Sequence, residues 1–256
     1  MELEEIYIYG RNPVEEQLTE DPGKVEKIFI RDGAGGSQLK RIRENASTHR
    51  IPVSNVPGNK LFQLLGKVND QGIAALISPV RHISFDEWIA ETDAGPETAI
   101  LLLDQIEDPH NFGAILRSAA AAGISAVVIP KHNQAPVSAA VFKSSAGTAG
   151  RIPIVRTGNL NQTIRTLKEH KFWVAGLNPS AERSLWELET GYPVAFVIGS
   201  EGEGIRKKTG ELCDLHYSIP MLNRVESLNA SVSAALLCFE WNRRVFHSGN
   251  GRESSS

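Results

Sequence analysis

The chain has 256 residues, 41% of them hydrophobic and 22% charged, with 27 Lys and Arg against 30 Asp and Glu for a net charge of −3. That length and composition support one large or two modest globular domains and exclude a polyelectrolyte or a disordered acidic chain. The two cysteines, Cys213 and Cys238, are too few for a disulfide framework and lack zinc-site spacing, which fits a reducing cytoplasm. No apolar run reaches the roughly 18 to 20 residues of a membrane span, and MELEEIYIYG lacks the order of a signal peptide.

In chain order, NPVEEQL is a helix start, with Asn12 as cap and Pro13 in the first turn. KVEKIFIRDG alternates like a half-buried strand, SQLKRIRENASTHR has helical spacing, and IPVSNV and QGIAALISP read as extended. These make a small α/β unit over residues 1–80. Lys40, Arg41, Arg43, His49 and Arg50 concentrate basic charge on its second helix, as a solvated face or one that contacts phosphates. Residues 81–98 contain Gly95 and Pro96, and residues 81–99 carry one basic and five acidic side chains, so this stretch reads as a linker. From residue 99 onward, β-branched runs (AILLLDQI, AVVIP, IPIVR, FWVAGLN, VAFVIGS) alternate with helical segments (GAILRSAAAAGI, PVSAAVFKSSAG, LNQTIRTLKEHK, LNASVSAALLCFEWNRRVF). That alternation predicts a parallel sheet covered on both faces, ending near residue 247 before a disordered tail over 248–256.

Parallel α/β sheets commonly bind phosphates at glycine turns, and two glycine-rich loops of this chain lack the nucleotide signatures. DGAGGSQ has Gln38 where the third glycine of a dinucleotide fingerprint belongs, and GSEGEGIRKKTG has Ile205 where a phosphate-binding lysine belongs. The seven histidines form no metal-ligand cluster.

Three segments concentrate polar residues among apolar ones: LDQIEDPHNFGAILRSAAAAG, VIGSEGEGIRKK and SIPMLNRVESLNASVSAALLCFE. Arg117 lies six residues after Asn111 on an otherwise apolar helix and needs an anion, either a phosphate or an acid such as Glu201. Asn111 and Asn229 could each cap a helix. Gly199 ends a strand, where a missing side chain permits close approach, and Ile219 and Leu228 are apolar positions of the core type. Val232, Leu236 and Phe239 form an apolar helical stripe that serves the core or a contact with a second copy.

In order and spacing these segments resemble the three signature motifs of the SpoU branch of the SPOUT RNA ribose methyltransferases. The first is carried by Asn111, Gly113 and Arg117, the second by Gly199, Glu201 and Gly202, and the third by Pro220, Ser227, Leu228, Asn229 and Ser231. IYGRNPVEEQL and NDQGIAA also resemble the substrate domain of the ribosomal-RNA guanosine members. The resemblance implies a C-terminal trefoil-knotted parallel-sheet methyltransferase domain over 99–247 and a small N-terminal α/β RNA-binding domain. It implies S-adenosylmethionine held by backbone groups at Gly199, Ile219 and Leu228, and a catalytic set of Asn111, Arg117, Glu201 and Asn229. Arg117 would act as a phosphate clamp and by its charge, since arginine stays protonated. It further implies a homodimer acting on a guanosine of 23S ribosomal RNA, with no metal and no membrane. Transfer RNA, another ribosomal site, or a non-catalytic RNA-binding assembly factor are the alternatives.

Overall fold

The computed structural model describes residues 6–78, 82–145, 147–223 and 227–246; the expected tail at 248–256 lies outside them. The chain forms two compact units, Met1–Val80 with Val137–Gly147, and Arg81–Pro136 with Thr148–Ser256.

In the first unit, β1 (Ile6–Tyr9), β4 (Ile73–Ile77), β2 (Val25–Arg31) and β3 (Val53–Val56) form a sheet in that order. β4 runs antiparallel to both neighbours and β3 parallel to β2. α1 (Arg11–Glu20) and α2 (Ser37–Thr48) pack together and bury Val14, Leu18, Leu39 and Ile42. On α3 (Gly58–Leu65), Leu61 packs with Phe29 and Ala74. The helix start differs from the expected one: α1 begins at Arg11 after Gly10, with no side-chain cap. The Gln71 Oε1 accepts from the Arg11 backbone N–H at 2.9 Å, meeting one of the orphan donors of the first turn.

The second unit is an eight-stranded sheet whose pairs are all parallel. Its strands are β5 (Ile83–Ser84), β6 (Ala99–Asp104), β7 (Ala126–Pro130), β8 (Ile154–Thr157), β9 (Trp173–Leu177), β10 (Arg183–Ser184), β11 (Val194–Gly199) and β12 (Leu215–Ser218). They lie in the order β10-β12-β9-β11-β6-β7-β8-β5. All six residues of β6 are buried, as a strand covered on both faces requires. One face packs Ile100, Leu102, Val128 and Val197 under α4 (Phe85–Glu91) and α7 (Leu160–Glu169). Elsewhere in the unit α5 (Pro109–Ala121) packs on α9 (Ala230–Phe246), which also meets β11.

Two expectations about organisation change. The acidic stretch is not a free linker over its whole length, because Ile83–Ser84 pairs with β8 and α4 buries Phe85, Trp88 and Ile89 in the second core. Ser84 and Glu87 close a capping box at its start. The segment PVSAAVFKSSAG forms α6 (Ala139–Ser144), which packs on β1 and belongs to the first unit. On α9 the core face is Ala230, Ala234, Leu237, Cys238 and Trp241, whereas Val232 and Phe239 are 46% and 50% exposed. The predicted stripe is therefore not the core stripe.

Candidate active site

Strand order reverses around β6 and β11, and ligands of parallel α/β sheets sit outside the C-terminal strand ends at such a switch. There Asp104 and Gly199 end β6 and β11 in register. The chain leaving Gly199 turns back at once: Ser200 and Gly204 exchange backbone hydrogen bonds of 3.2 and 3.0 Å, and Gly204 takes a left-handed φ of 67°.

This turn sets the role of Gly199. A Cβ there would lie 2.0 Å from the Gly204 carbonyl carbon and 2.2 Å from Ile205 N. The glycine makes room for the chain's own loop, a constraint nearer than the ligand approach expected from sequence.

The loop is anchored by a pair that sequence reading missed. Asp104 is fully buried, accepting at 2.7 and 2.6 Å from Arg206 Nε and Nη2, and at 3.1 Å from the Arg206 backbone N–H. A lone carboxylate ending the apolar run AILLLD was the available signal, since a buried charge requires a partner. Its partner lies 102 residues away.

Each of the three motifs contributes one side chain to a hydrogen-bonded cluster. Asn111 Nδ2 donates to Glu201 Oε1 at 2.8 Å, Asn229 Nδ2 donates to Asn111 Oδ1 at 2.9 Å, and Asn229 Nδ2 also donates to Glu201 Oε1. Asn229 caps α9 as well, its Oδ1 accepting from Ser231 N at 2.9 Å. Asn111 is not a cap; Asp108 holds that place on α5, accepting from His110 N. The Glu201 Oε2 has no hydrogen-bond donor among the described residues. Arg117 is exposed on α5 and forms no ion pair among the described residues, with Glu201 or any other acid. The structure thus joins Asn111, Glu201 and Asn229 and leaves Arg117 outside their cluster.

Two cavities meet at this cluster. One, of about 350 Å³, is lined by Gly199, Glu201, Tyr217, Ile219, Ser227 and Leu228 among others, so the three expected cofactor positions border a single space. The other, of about 400 Å³, is lined by Gln105, Glu107, Asp108, Asn111, Glu201 and Glu203 among others. Ser200, Glu201, Glu203 and Ala230 border both.

The basic residues of the first unit are partly committed. Arg41 pairs with Glu15 at 2.9 Å and Arg43 donates to Asn55 Oδ1 at 2.6 Å, while Lys40 stands 3.9 Å from Glu44. The Arg41 hydrogen bonds hold the Glu15 carboxyl below the usual carboxylate range. Arg50, just past α2, is exposed with a φ of 57°. Among the described residues no group of three metal-ligating side chains converges, and no helix is long and apolar enough to cross a membrane. Both cysteine thiols are free, and burial pushes each up to about 12.

Comparison with known proteins finds a family match in each part of the chain. Residues 98–239 match the SpoU rRNA Methylase family, and residues 7–83 match the RNA 2'-O ribose methyltransferase substrate binding family. A Staphylococcus haemolyticus protein carrying the name TrmH family tRNA/rRNA methyltransferase is 38% identical, covering 97% of this chain and 99% of its own. A solved RNA 2'-O ribose methyltransferase is similar over 94% of this chain and 89% of its own, at 28% identity and a TM-score of 0.74. The SpoU methyltransferase AviRb from Streptomyces viridochromogenes, solved with the cofactor AdoMet, shares the fold at 21% identity and a TM-score of 0.75, over 94% of this chain and 90% of its own. The A. aeolicus TrmH/SpoU tRNA modifying enzyme covers 58% of this chain and 75% of its own, at 24% identity and a TM-score of 0.53. With a parallel-sheet fold, a three-motif cluster at its switch point and family matches over both units, this chain belongs to the SpoU rRNA methylase family, its methylase unit preceded by an RNA 2'-O-ribose methyltransferase substrate-binding unit.

Proposed function

We propose that the protein transfers a methyl group from S-adenosylmethionine to the 2′-oxygen of a guanosine in 23S ribosomal RNA. The observation that carries this reading is the Asn111–Glu201–Asn229 cluster set between two adjoining cavities. The first cavity suits the methyl donor: its volume falls in the range of about 300–1,000 Å³ of small-molecule sites, and Gly199, Ile219 and Leu228 border it. The second cavity then receives the acceptor ribose. When bound, the donor supplies an activated methyl group on a sulfonium.

A 2′-hydroxyl is a weak acid, so the protein's task is to aim it and stabilise the charge that develops as the C–O bond forms. Asn111 and Asn229 fix Glu201 through Oε1 and leave Oε2 to accept a hydrogen bond from the hydroxyl. A carboxylate is too weak a base to deprotonate the hydroxyl beforehand, so Oε2 orients the O–H and takes up its proton as the C–O bond forms and the C–S bond of the donor breaks. Arg117, unpaired and exposed, supplies a cation for an RNA phosphate, through the planar donor fork that suits such an anion. Val232, Phe239 and the 48% exposed Phe246 on α9 give an apolar surface for a second copy of the chain, consistent with a homodimer. The free thiols suit a cytoplasmic protein.

The substrate-binding unit supports the ribosomal target over transfer RNA, because the similarity to the A. aeolicus tRNA enzyme reaches little beyond half of this chain. Lys40, Arg41, Arg43 and Arg50 are the proposed RNA contacts of that unit, Arg41 being paired closely with Glu15 and Lys40 more loosely with Glu44. The test is transfer of labelled methyl from S-adenosylmethionine to 23S ribosomal RNA and, separately, to transfer RNA, both from cells lacking the protein. Nuclease digestion should release 2′-O-methylguanosine from the 23S RNA. Label in transfer RNA alone, or on another nucleoside, would overturn the substrate assignment.

A further inference from the structure

Beyond the two cavities at the cluster lies a third that the proposed chemistry does not use. It measures about 330 Å³ and is lined by Gln105, His132, Asn133, Asn159, Asn161 and Arg206 among others. Gln105 borders both this space and the acceptor cavity. The three spaces therefore follow one another along the C-terminal ends of the parallel strands, from β12 and β11, past β6, to β7 and β8.

The third cavity differs in chemistry from the second. The acceptor cavity carries the carboxylates of Glu107, Asp108, Glu201 and Glu203, which repel a phosphate. Among the described residues lining either cavity, Arg206 is the cation. Asp104 engages Arg206 Nε and Nη2, which orients the guanidinium and leaves Nη1 donors for another anion. Around it stand carboxamides that both donate and accept. Asn161 accepts from Thr209 through Oδ1 at 3.0 Å, leaving its Nδ2 donors free, and the side chains of Gln105 and Asn133 make no hydrogen bond among the described residues. Both are non-glycine residues in the left-handed region, at φ of 65° and 55°. Such backbones concentrate where a chain is shaped for a ligand.

We infer that this cavity is a subsite for the nucleotide adjoining the methylated one, its phosphodiester on Arg206 and its base against the carboxamides. The inference rests on the proposed reading in placing the acceptor nucleoside in the second cavity. An acidic acceptor cavity flanked by a cationic, amide-lined one matches the alternation of nucleoside and phosphate along a single RNA strand.

The test uses the full chain saturated with S-adenosylhomocysteine and compares guanosine 3′,5′-bisphosphate with the dinucleotides guanylyl-(3′→5′)-uridine and uridylyl-(3′→5′)-guanosine. The variant H132A/N133G removes two rim side chains while glycine keeps the left-handed backbone at 133. One dinucleotide should bind the wild type at least about tenfold more tightly than the bisphosphate, and the gain should fall below about threefold in the variant. S-adenosylhomocysteine affinity should not change, because neither residue borders the first cavity. A dinucleotide no better than the bisphosphate, or a gain that survives in the variant, overturns the subsite. Failure of the wild type to bind S-adenosylhomocysteine would instead overturn the methyl-transfer reading, and the dinucleotide comparison would still report on the third cavity.

Discussion

Replacing Gly199 with alanine separates a glycine that serves a ligand from one that serves the chain. The added Cβ would sit 2.0 Å from the Gly204 carbonyl carbon, where real Cβ atoms essentially never come closer than 3.0 Å. The 200–204 turn must therefore shift by about 1 Å, a strain of about 1–3 kcal/mol by analogy with overpacked cores. The same shift breaks the two Ser200–Gly204 hydrogen bonds, each contributing about 1 kcal/mol. A loss of about 3 kcal/mol corresponds to a drop of about 6–12 °C in melting temperature for a chain of this size. The measurement is urea and thermal unfolding of G199A without ligand, followed by calorimetric titration with S-adenosylmethionine under conditions where the variant is folded. Affinity should fall too, since the displaced turn carries Glu201 and lines the first cavity. A variant within about 0.5 kcal/mol of wild type that nevertheless loses the ligand would refute the argument from the turn and restore the simpler one, that a side chain at 199 collides with the donor.

R117A should keep wild-type stability, because the side chain has no ion pair among the described residues, yet lose about 100-fold or more in single-turnover methyl transfer to 23S RNA; a loss under tenfold would sink the proposed electrostatic role. N229S should hold the α9 cap to within about 0.5 kcal/mol by denaturant unfolding, since serine caps about as well as asparagine, while transfer falls at least about tenfold because Glu201 loses one donor. R206A should destabilise by about 3–5 kcal/mol in urea, leaving the buried Asp104 carboxylate uncompensated; a mild effect would mean water reaches that carboxylate. His82 is pushed down to about 4 by burial first and by the Arg156 charge second, and its Nδ1 has no partner among the described residues. Its folded-state value lies below the unfolded one, so the unfolded chain binds more protons between these values. Its share of stability is complete above pH about 6.5 and is lost as pH falls towards 4, amounting to about 1–2 kcal/mol after allowing for its partial exposure. H82Q should flatten that part of the stability profile.

The residues of the cluster were legible because each motif pairs a distinctive polar side chain with a glycine or a helix start, a local signal. Their mutual hydrogen bonds were not: Asn111 and Asn229 are 118 residues apart, and only the return of α9 onto α5 brings them together. The same holds for Asp104 and Arg206. The folded part of the acidic stretch could have been recognised, because Ser84 with Glu87 spells a capping box and Phe85, Trp88 and Ile89 fall at helical spacing; net charge and the Gly95–Pro96 pair outweighed that pattern. The apolar stripe on α9 left core and second-copy contact open because Val232 and Phe239 share a face as regularly as Ala234, Leu237, Cys238 and Trp241 do, and periodicity does not say which face a neighbour covers. The place of α6 was beyond local reading, since an amphipathic segment carries no mark of the sheet it will meet.

That placement of α6 has a consequence during synthesis. The first unit takes its last element from Val137–Gly147, which ends 67 residues after Val80, so it cannot complete its packing when its own strands have been made. At translation speeds of about 5–20 residues per second, the β1 side of its sheet waits roughly 3–13 s for α6. During that interval the apolar contacts destined for Val141 and Phe142 are open to chaperones or to other nascent chains. The first unit is thus assembled from two stretches made at different times, and a gene fragment that stops near codon 80 would encode an unfinished first unit.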